Sequence, residues 1–138
     1  DISDAALEVA KTNARNLNLE ANFILSDWFT NVEEEKYDVI VSNPPYIKTN
    51  EEIEEIVKNN EPHLALYAGI DGLDSYRIIL KDIKKYLKPT FLIAFEIGYE
   101  QEDALCKLVN DNLENIIVTV KKDLSNKDRM LFVEKNND

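Results

Sequence analysis

Apolar and polar positions along the chain alternate between a helical period and short continuous apolar runs. Leu7, Ala10, Ala14 and Leu17 recur at helical spacing behind Ser3, a good N-cap, and predict a helix over residues 4–17. Phe23-Ile24-Leu25 reads as a short strand ending at Ser26-Asp27. Tyr37 to Ser42 reads as a second strand, and its unbroken apolar run predicts burial on both faces. Asn43-Pro44-Pro45-Tyr46 must end that strand, because proline donates no ladder hydrogen bond. Asn50 is placed to cap a short charged helix over 51–58, and Asp71-Gly72 is a turn signal. Leu73, Tyr76, Leu80, Ile83 and Leu87 mark the clearest amphipathic helix, closed by Lys88-Pro89. Phe91 to Glu96 is a buried strand. Ala104, Leu105, Leu108 and Val109 give another helix, and Ile116 to Val120 and Met130 to Val133 are the last two strands. Strands alternating with helices predict an α/β fold with a parallel sheet covered on both faces. The last two strands have no helix between them and should pair antiparallel as a hairpin.

Composition narrows the class. The 138 residues include 27 acidic and 16 basic side chains, for a net charge of −11, with one cysteine and three glycines. At about 7% glycine some ten would be usual, and Gly69, Gly72 and Gly98 make no glycine-rich nucleotide loop. The longest apolar run, Phe91 to Phe95, is strand-sized, so no membrane span is expected. No signal peptide opens the chain, and the lone Cys106 forms no internal disulfide, which fits a cytoplasmic setting. The acidic excess argues against holding nucleic acid by phosphate neutralisation. The polar tail Lys135 to Asp138 reads as a solvated end.

The chemistry concentrates at the end of the Tyr37–Ser42 strand, the end where open α/β sheets bind ligands. Two consecutive prolines fix φ and remove backbone donors, leaving carbonyls free to accept. Asn43 adds a side-chain acceptor and Tyr46 a flat stacking face. The set suits a planar amino group on a conjugated system, such as a carboxamide or an exocyclic base amine. Acceptors around its hydrogens favour pyramidalisation of the nitrogen and stabilise the positive charge that develops when it attacks.

This motif resembles the catalytic motif of S-adenosylmethionine-dependent methyltransferases that modify amide or base amino nitrogens. Five further segments resemble those of the release-factor glutamine methyltransferase (PrmC/HemK) family: Glu61 to Leu66, Asp71 to Asp74, Glu96 to Gln101, Lys122-Asp123-Leu124 and Asp128-Arg129. The likeness extends over essentially the whole chain, in family order and spacing. It implies a class I S-adenosylmethionine-dependent methyltransferase, Rossmann-like, with a closing antiparallel hairpin, residues 1–138 being part of its catalytic domain. It further implies that Asp1 binds the cofactor ribose and that Asp27 and Trp28 border the adenine. Asn43 would touch cofactor and substrate, and Pro44, Pro45 and Tyr46 would hold the glutamine side chain. The implied reaction is N5-methylation of the Gly-Gly-Gln glutamine of a peptide-chain release factor, with no metal and no direct nucleic acid. The family's glycine-rich cofactor turn and its first, central strand have no counterpart here. A missing N-terminal segment or a second chain is therefore expected to complete the sheet, and the 138 residues alone are expected to be inactive.

Plainer readings stand beside these. Asp1 also fits a solvated end, and Asp27-Trp28 a turn with an aromatic over the core edge. Glu61-Pro62 fits a loop brace and His63 a surface or packing residue. Tyr76, Tyr86 and Phe95 fall at core spacing, the glutamates of 51–55 on a solvated helix face, and Cys106 in an unreactive helical position. Lys88 to Phe91 lacks the family's glycines, and Ser125-Asn126 stands where Ala-Gly is common. Three rival functions remain: methylation of a ribosomal-protein glutamine, methylation of a nucleic-acid amino group, and a non-catalytic fragment or binding module.

Overall fold

In the computed structural model, residues 1–60 and 62–136 are described, apart from the side chains of residues 56–58. Glu61 and the last two residues of the polar tail lie outside them. The chain forms two compact units, Asp1–Glu35 and the remainder from Lys36, each described on its own.

The first unit opens with α1 (Asp4–Asn16). Ser3 caps it as expected, its hydroxyl accepting the Ala6 N–H at 3.2 Å. Phe23 to Leu25 does not form a strand. It makes a single parallel bridge instead: the Asp1 amine donates to the Ile24 carbonyl at 3.0 Å, and Ser26 N–H donates to the Asp1 carbonyl at 2.9 Å. Asn31 Nδ2 also donates to the Leu25 carbonyl at 2.9 Å, but a side chain and the single residue Asp1 cannot extend a ladder.

The second unit is a four-stranded sheet, β1 (Tyr37–Ser42), β2 (Leu87–Glu96), β3 (Ile117–Lys122) and β4 (Asp128–Lys135), in the order β1-β2-β4-β3. β1 and β2 are parallel; β4 runs antiparallel to both β2 and β3, so the closing hairpin forms as its sequence predicts. Between β1 and β2 lie α2 (Glu55–Asn60), a short 3-10 turn at His63–Ala65, and α3 (Asp74–Asp82) with a 3-10 extension through Tyr86. α4 (Glu102–Asn112) follows β2. The core sits on one face of the sheet. Phe91, Ile93 and Phe95 of β2 and Leu131 and Val133 of β4 are buried with Tyr76, Leu80, Leu105 and Val109 from the helices. The Tyr76 and Phe95 rings meet edge to face at 5.5 Å, and Tyr86 is buried too, as core spacing requires.

Four expectations change. β1 is not buried on both faces: Val39 and Val41 are 52% and 73% exposed. Both lie with Leu92 and Ala94 on the less covered face of the sheet, while Ile40, on the opposite face beside Ile93, is half-buried. The sheet's second face, with Leu92, Ala94 and Phe132 half-buried, is less covered than the first. Asn50 does not cap a helix, since α2 begins five residues later and Glu51 to Glu54 precede it. Finally, Lys88-Pro89 lies inside β2, where the β1–β2 register shifts between Tyr37 and Val39. An irregular stretch tolerates a residue that cannot donate a ladder bond.

Candidate active site

β1 delivers Asn43 to the carboxyl end of the sheet, one residue beyond Ser42. Asn43 is exposed, Pro44 is buried, and Pro45 and Tyr46 are half-buried, so the turn is anchored at its centre and open at its asparagine. The chain leaving it is clamped at once. Ile47 N–H donates to the Leu66 carbonyl at 3.0 Å and Ala68 N–H to the Ile47 carbonyl at 2.9 Å, a parallel bridge between Ile47 and Tyr67. Thr49 N–H donates to the Gly69 carbonyl at 2.9 Å. The segment from Pro62 to Asp74 thus serves as the outer wall of the turn. His63 is exposed within it, its ring against Tyr67 at 4.8 Å, which agrees with a packing role.

Tyr46 is held at both ends. Its hydroxyl donates to Glu96 Oε1 at 3.4 Å and accepts from Arg129 Nη1 at 3.3 Å. Its carbonyl accepts from Gln101 Nε2 at 3.1 Å. Partial burial pushes the phenol pKa above its ordinary value, with Arg129 opposing and Glu96 adding to the shift. At neutral pH the group is a protonated phenol, so it offers a ring and a hydrogen bond rather than a base.

Arg129 is itself positioned by the β3–β4 loop. Its Nε donates to Asp123 Oδ2 at 3.3 Å and its Nη1 to the Ile97 carbonyl at 3.1 Å. Asp123 Oδ1 accepts the N–H groups of Ser125 and Lys127, which lowers its pKa together with the Arg129 bond. Asn126 adopts φ 61°, the left-handed conformation that asparagine tolerates best after glycine. The departure from Ala-Gly at this place is therefore absorbed without loss of the turn. Cys106, half-buried on α4, has its thiol pKa raised by burial and by Glu102 and Asp103, opposite to a reactive thiolate.

Asp1, Asp27 and Trp28 belong to the first unit. Asp1 is exposed at the end of its bridge, and its Oδ1 accepts the Ser3 N–H at 2.7 Å. Ser26 donates its hydroxyl to the Trp28 carbonyl and accepts the Asn31 N–H, both at 2.9 Å. Asp27 is exposed on this turn, and its carbonyl accepts from the Thr30 hydroxyl at 2.6 Å. Trp28 is half-buried with φ 50°, an unfavourable conformation for a bulky side chain that the Ser26–Asn31 bonds hold in place. The Asp1 carboxylate, anchored by the Ser3 N–H, is of the kind that accepts from a sugar diol, and the half-buried Trp28 indole is of the kind that lies against an adenine ring, so these residue types fit S-adenosyl-L-methionine.

The groups that sequence reading missed as functional are Gln101 and Arg129. Both lie in family-like segments, but their side chains meet Tyr46 only through folding, 55 and 83 positions away along the chain.

Comparison with known proteins bears on the fold and on sequence similarity. Residues 1–65 match the family described as methyltransferase small domain. A methyltransferase from Pyrococcus furiosus superposes with a TM-score of 0.67 over 99% of this chain and 61% of its own, at 17% identity, which speaks for the fold alone. The chain has the class I methyltransferase fold, whose members use S-adenosyl-L-methionine as methyl donor. Its sequence kinship is with release factor glutamine methyltransferases. The Streptococcus pneumoniae member is 44% identical over all of this chain, and a bifunctional methyltransferase from Rickettsia felis is 45% identical over 96% of it. A release-factor-specific protein-(glutamine-N5) methyltransferase from Alicyclobacillus acidocaldarius has a TM-score of 0.50 at 25% identity, covering 74% of this chain and half of its own. The chain spans 50% of the S. pneumoniae relative and 26% of the R. felis one.

Proposed function

We propose that residues 1–138 form part of the catalytic domain of a protein-glutamine N5-methyltransferase whose substrate is the Gly-Gly-Gln loop of a peptide-chain release factor in the cytoplasm. One observation carries this reading: an Asn-Pro-Pro-Tyr turn with its asparagine open and its tyrosine clamped, at the carboxyl end of a strand. Kinship along the whole chain with proteins of that name supports the choice of glutamine.

When bound, S-adenosyl-L-methionine supplies a methyl group on a sulfonium. Asp1 is proposed to hold its ribose hydroxyls, Asp27 and Trp28 to border its adenine, and Asn43 to touch both cofactor and substrate. Toward the substrate, the Asn43 side-chain oxygen and the Pro44 carbonyl accept the two amide hydrogens, while Pro45 and the Tyr46 ring flank the planar carboxamide. These acceptors stabilise the charge that builds on nitrogen as the N–CH3 bond forms. The proton released from the amide passes to water, since the turn presents neutral acceptors and a protonated phenol. Holding a single planar geometry is the larger part of such catalysis.

The test is labelled methyl transfer from S-adenosyl-L-methionine to purified release factor by the full-length protein. Transfer should fall at least 100-fold on Asn43→Ala with cofactor affinity within a few-fold. Absence of transfer by folded, cofactor-saturated protein refutes the reading.

A further inference from the structure

Among the described residues of the second unit, Gln101 is the one large amide or charged side chain that is buried, 6% exposed, and its carboxamide oxygen and nitrogen are both bonded. Its Oε1 accepts the Gly98 N–H at 2.9 Å. Its Nε2 donates to the Tyr46 carbonyl and to the Gly72 carbonyl, each at 3.1 Å. One acceptor and two donors, in one plane, tie three separate chain segments together: the turn after β1, the turn before α3, and the turn after β2. Gln101 also sits immediately before α4, its own carbonyl accepting the Leu105 N–H at 2.9 Å, so its backbone is fixed by the helix.

We propose that Gln101 is a positioning residue for the Asn43–Tyr46 turn: its amide sets the direction of the Tyr46 main chain, and through it the place of the tyrosine ring and the preceding acceptors. This inference rests on the proposed glutamine methylation for its kinetic consequence, but not for its structural one.

The residue type follows from the contacts. Two carbonyl oxygens demand two donors from a neutral group, which excludes glutamate, and the N–H of Gly98 demands an acceptor, which excludes lysine. Methionine fills similar space and satisfies none of the three. Gly72 completes the device by allowing close approach, because a Cβ there would stand 2.3 Å from the Tyr46 carbonyl oxygen and 2.6 Å from Gln101 Nε2. Arg129 and Glu96 hold the other end of Tyr46 at its hydroxyl through bonds of 3.3 and 3.4 Å. The shorter hold on Tyr46 is the one from Gln101, at 3.1 Å.

The experiment compares Gln101→Met and Gln101→Glu in the full-length protein. Both should raise KM for a glutamine-loop peptide at least 10-fold, while the cofactor Kd stays within twofold by calorimetry. Amide exchange at Tyr46 and Ile47 should speed up at least 10-fold while α4 remains protected. A space-filling role would instead leave Gln101→Met with native KM and native exchange at the turn, and that result overturns the proposal. If neither variant folds, the wild-type protein decides: the side-chain NH2 of Gln101 should exchange at least 100-fold more slowly than that of an exposed glutamine, and free exchange refutes the assignment. If the wild type methylates no glutamine, the proposed reaction falls and the exchange measurements still judge Gln101.

Discussion

Gly72→Ala is the sharpest single perturbation of the site. Gly72 has φ +75°, in the left-handed region where a side chain costs about 1–2 kcal/mol. A Cβ placed there would lie 2.3 Å from the Tyr46 carbonyl oxygen, about 1 Å short of ordinary contact, and the obstacle is backbone rather than the end of a flexible side chain. Relieving the overlap forces a shift of the kind that costs about 1–3 kcal/mol. It also breaks at least one of the two bonds donated by Gln101, a further loss of about 0.5–1.5 kcal/mol. Together these give a destabilisation of about 2.5–6.5 kcal/mol, centred on the second unit. Urea unfolding followed by circular dichroism, with amide exchange at Ile93 and Val133, measures it. The lone tryptophan, Trp28, reports separately on the first unit and should be little changed. A loss below about 1 kcal/mol would refute the close packing of Gly72, Tyr46 and Gln101 on which the account of the site depends.

Other outcomes follow from the same contacts. Tyr46→Phe keeps the ring and loses only two long hydroxyl bonds, so it should cost about 1 kcal/mol or less in kcat/KM; Tyr46→Ala should lower the same parameter at least 100-fold in the methyl-transfer assay. Ile93→Ala, at a fully buried position of β2, should destabilise by about 2–5 kcal/mol in urea unfolding. Asp71 is held at a pKa of about 2, chiefly by its hydrogen bonds from Arg77. Because the folded pKa lies below the ordinary 3.8, its stabilisation is complete above that value and disappears as pH falls through about 2. Both side chains are nearly half exposed, so solvent screening keeps the contribution below about 1 kcal/mol. Unfolding of wild type and Asp71→Asn should therefore differ slightly at pH 6 and converge toward pH 2.

Local signals carried most of the second unit. The buried spacing of Tyr76, Leu80 and Ile83, the run Phe91 to Glu96 and the helix-free link between the last two strands each found their element. The apolar run of β1 does put apolar side chains on both faces by alternation, but burial depends on what packs over each face, and Val39 and Val41 are left exposed. Pro89 has the local signature of a helix stop, yet β2 begins at Leu87, and the register with Tyr37 shows why proline is tolerated there. The turn at Asn43 to Tyr46 was legible because prolines act on their own backbone. The parts played by Gln101 and Arg129 were not, since each meets Tyr46 across more than 50 residues of chain and by hydrogen-bond geometry that no periodicity encodes.

The central claim is that this turn places a glutamine amide for methylation. Tandem mass spectrometry of release factor after reaction with the full-length protein and S-adenosyl-L-methionine tests it directly. One added methyl group is expected on the side-chain nitrogen of the Gly-Gly-Gln glutamine, absent with Asn43→Ala. A methyl group on another atom or another residue, or one still added by Asn43→Ala at the wild-type rate, would contradict it.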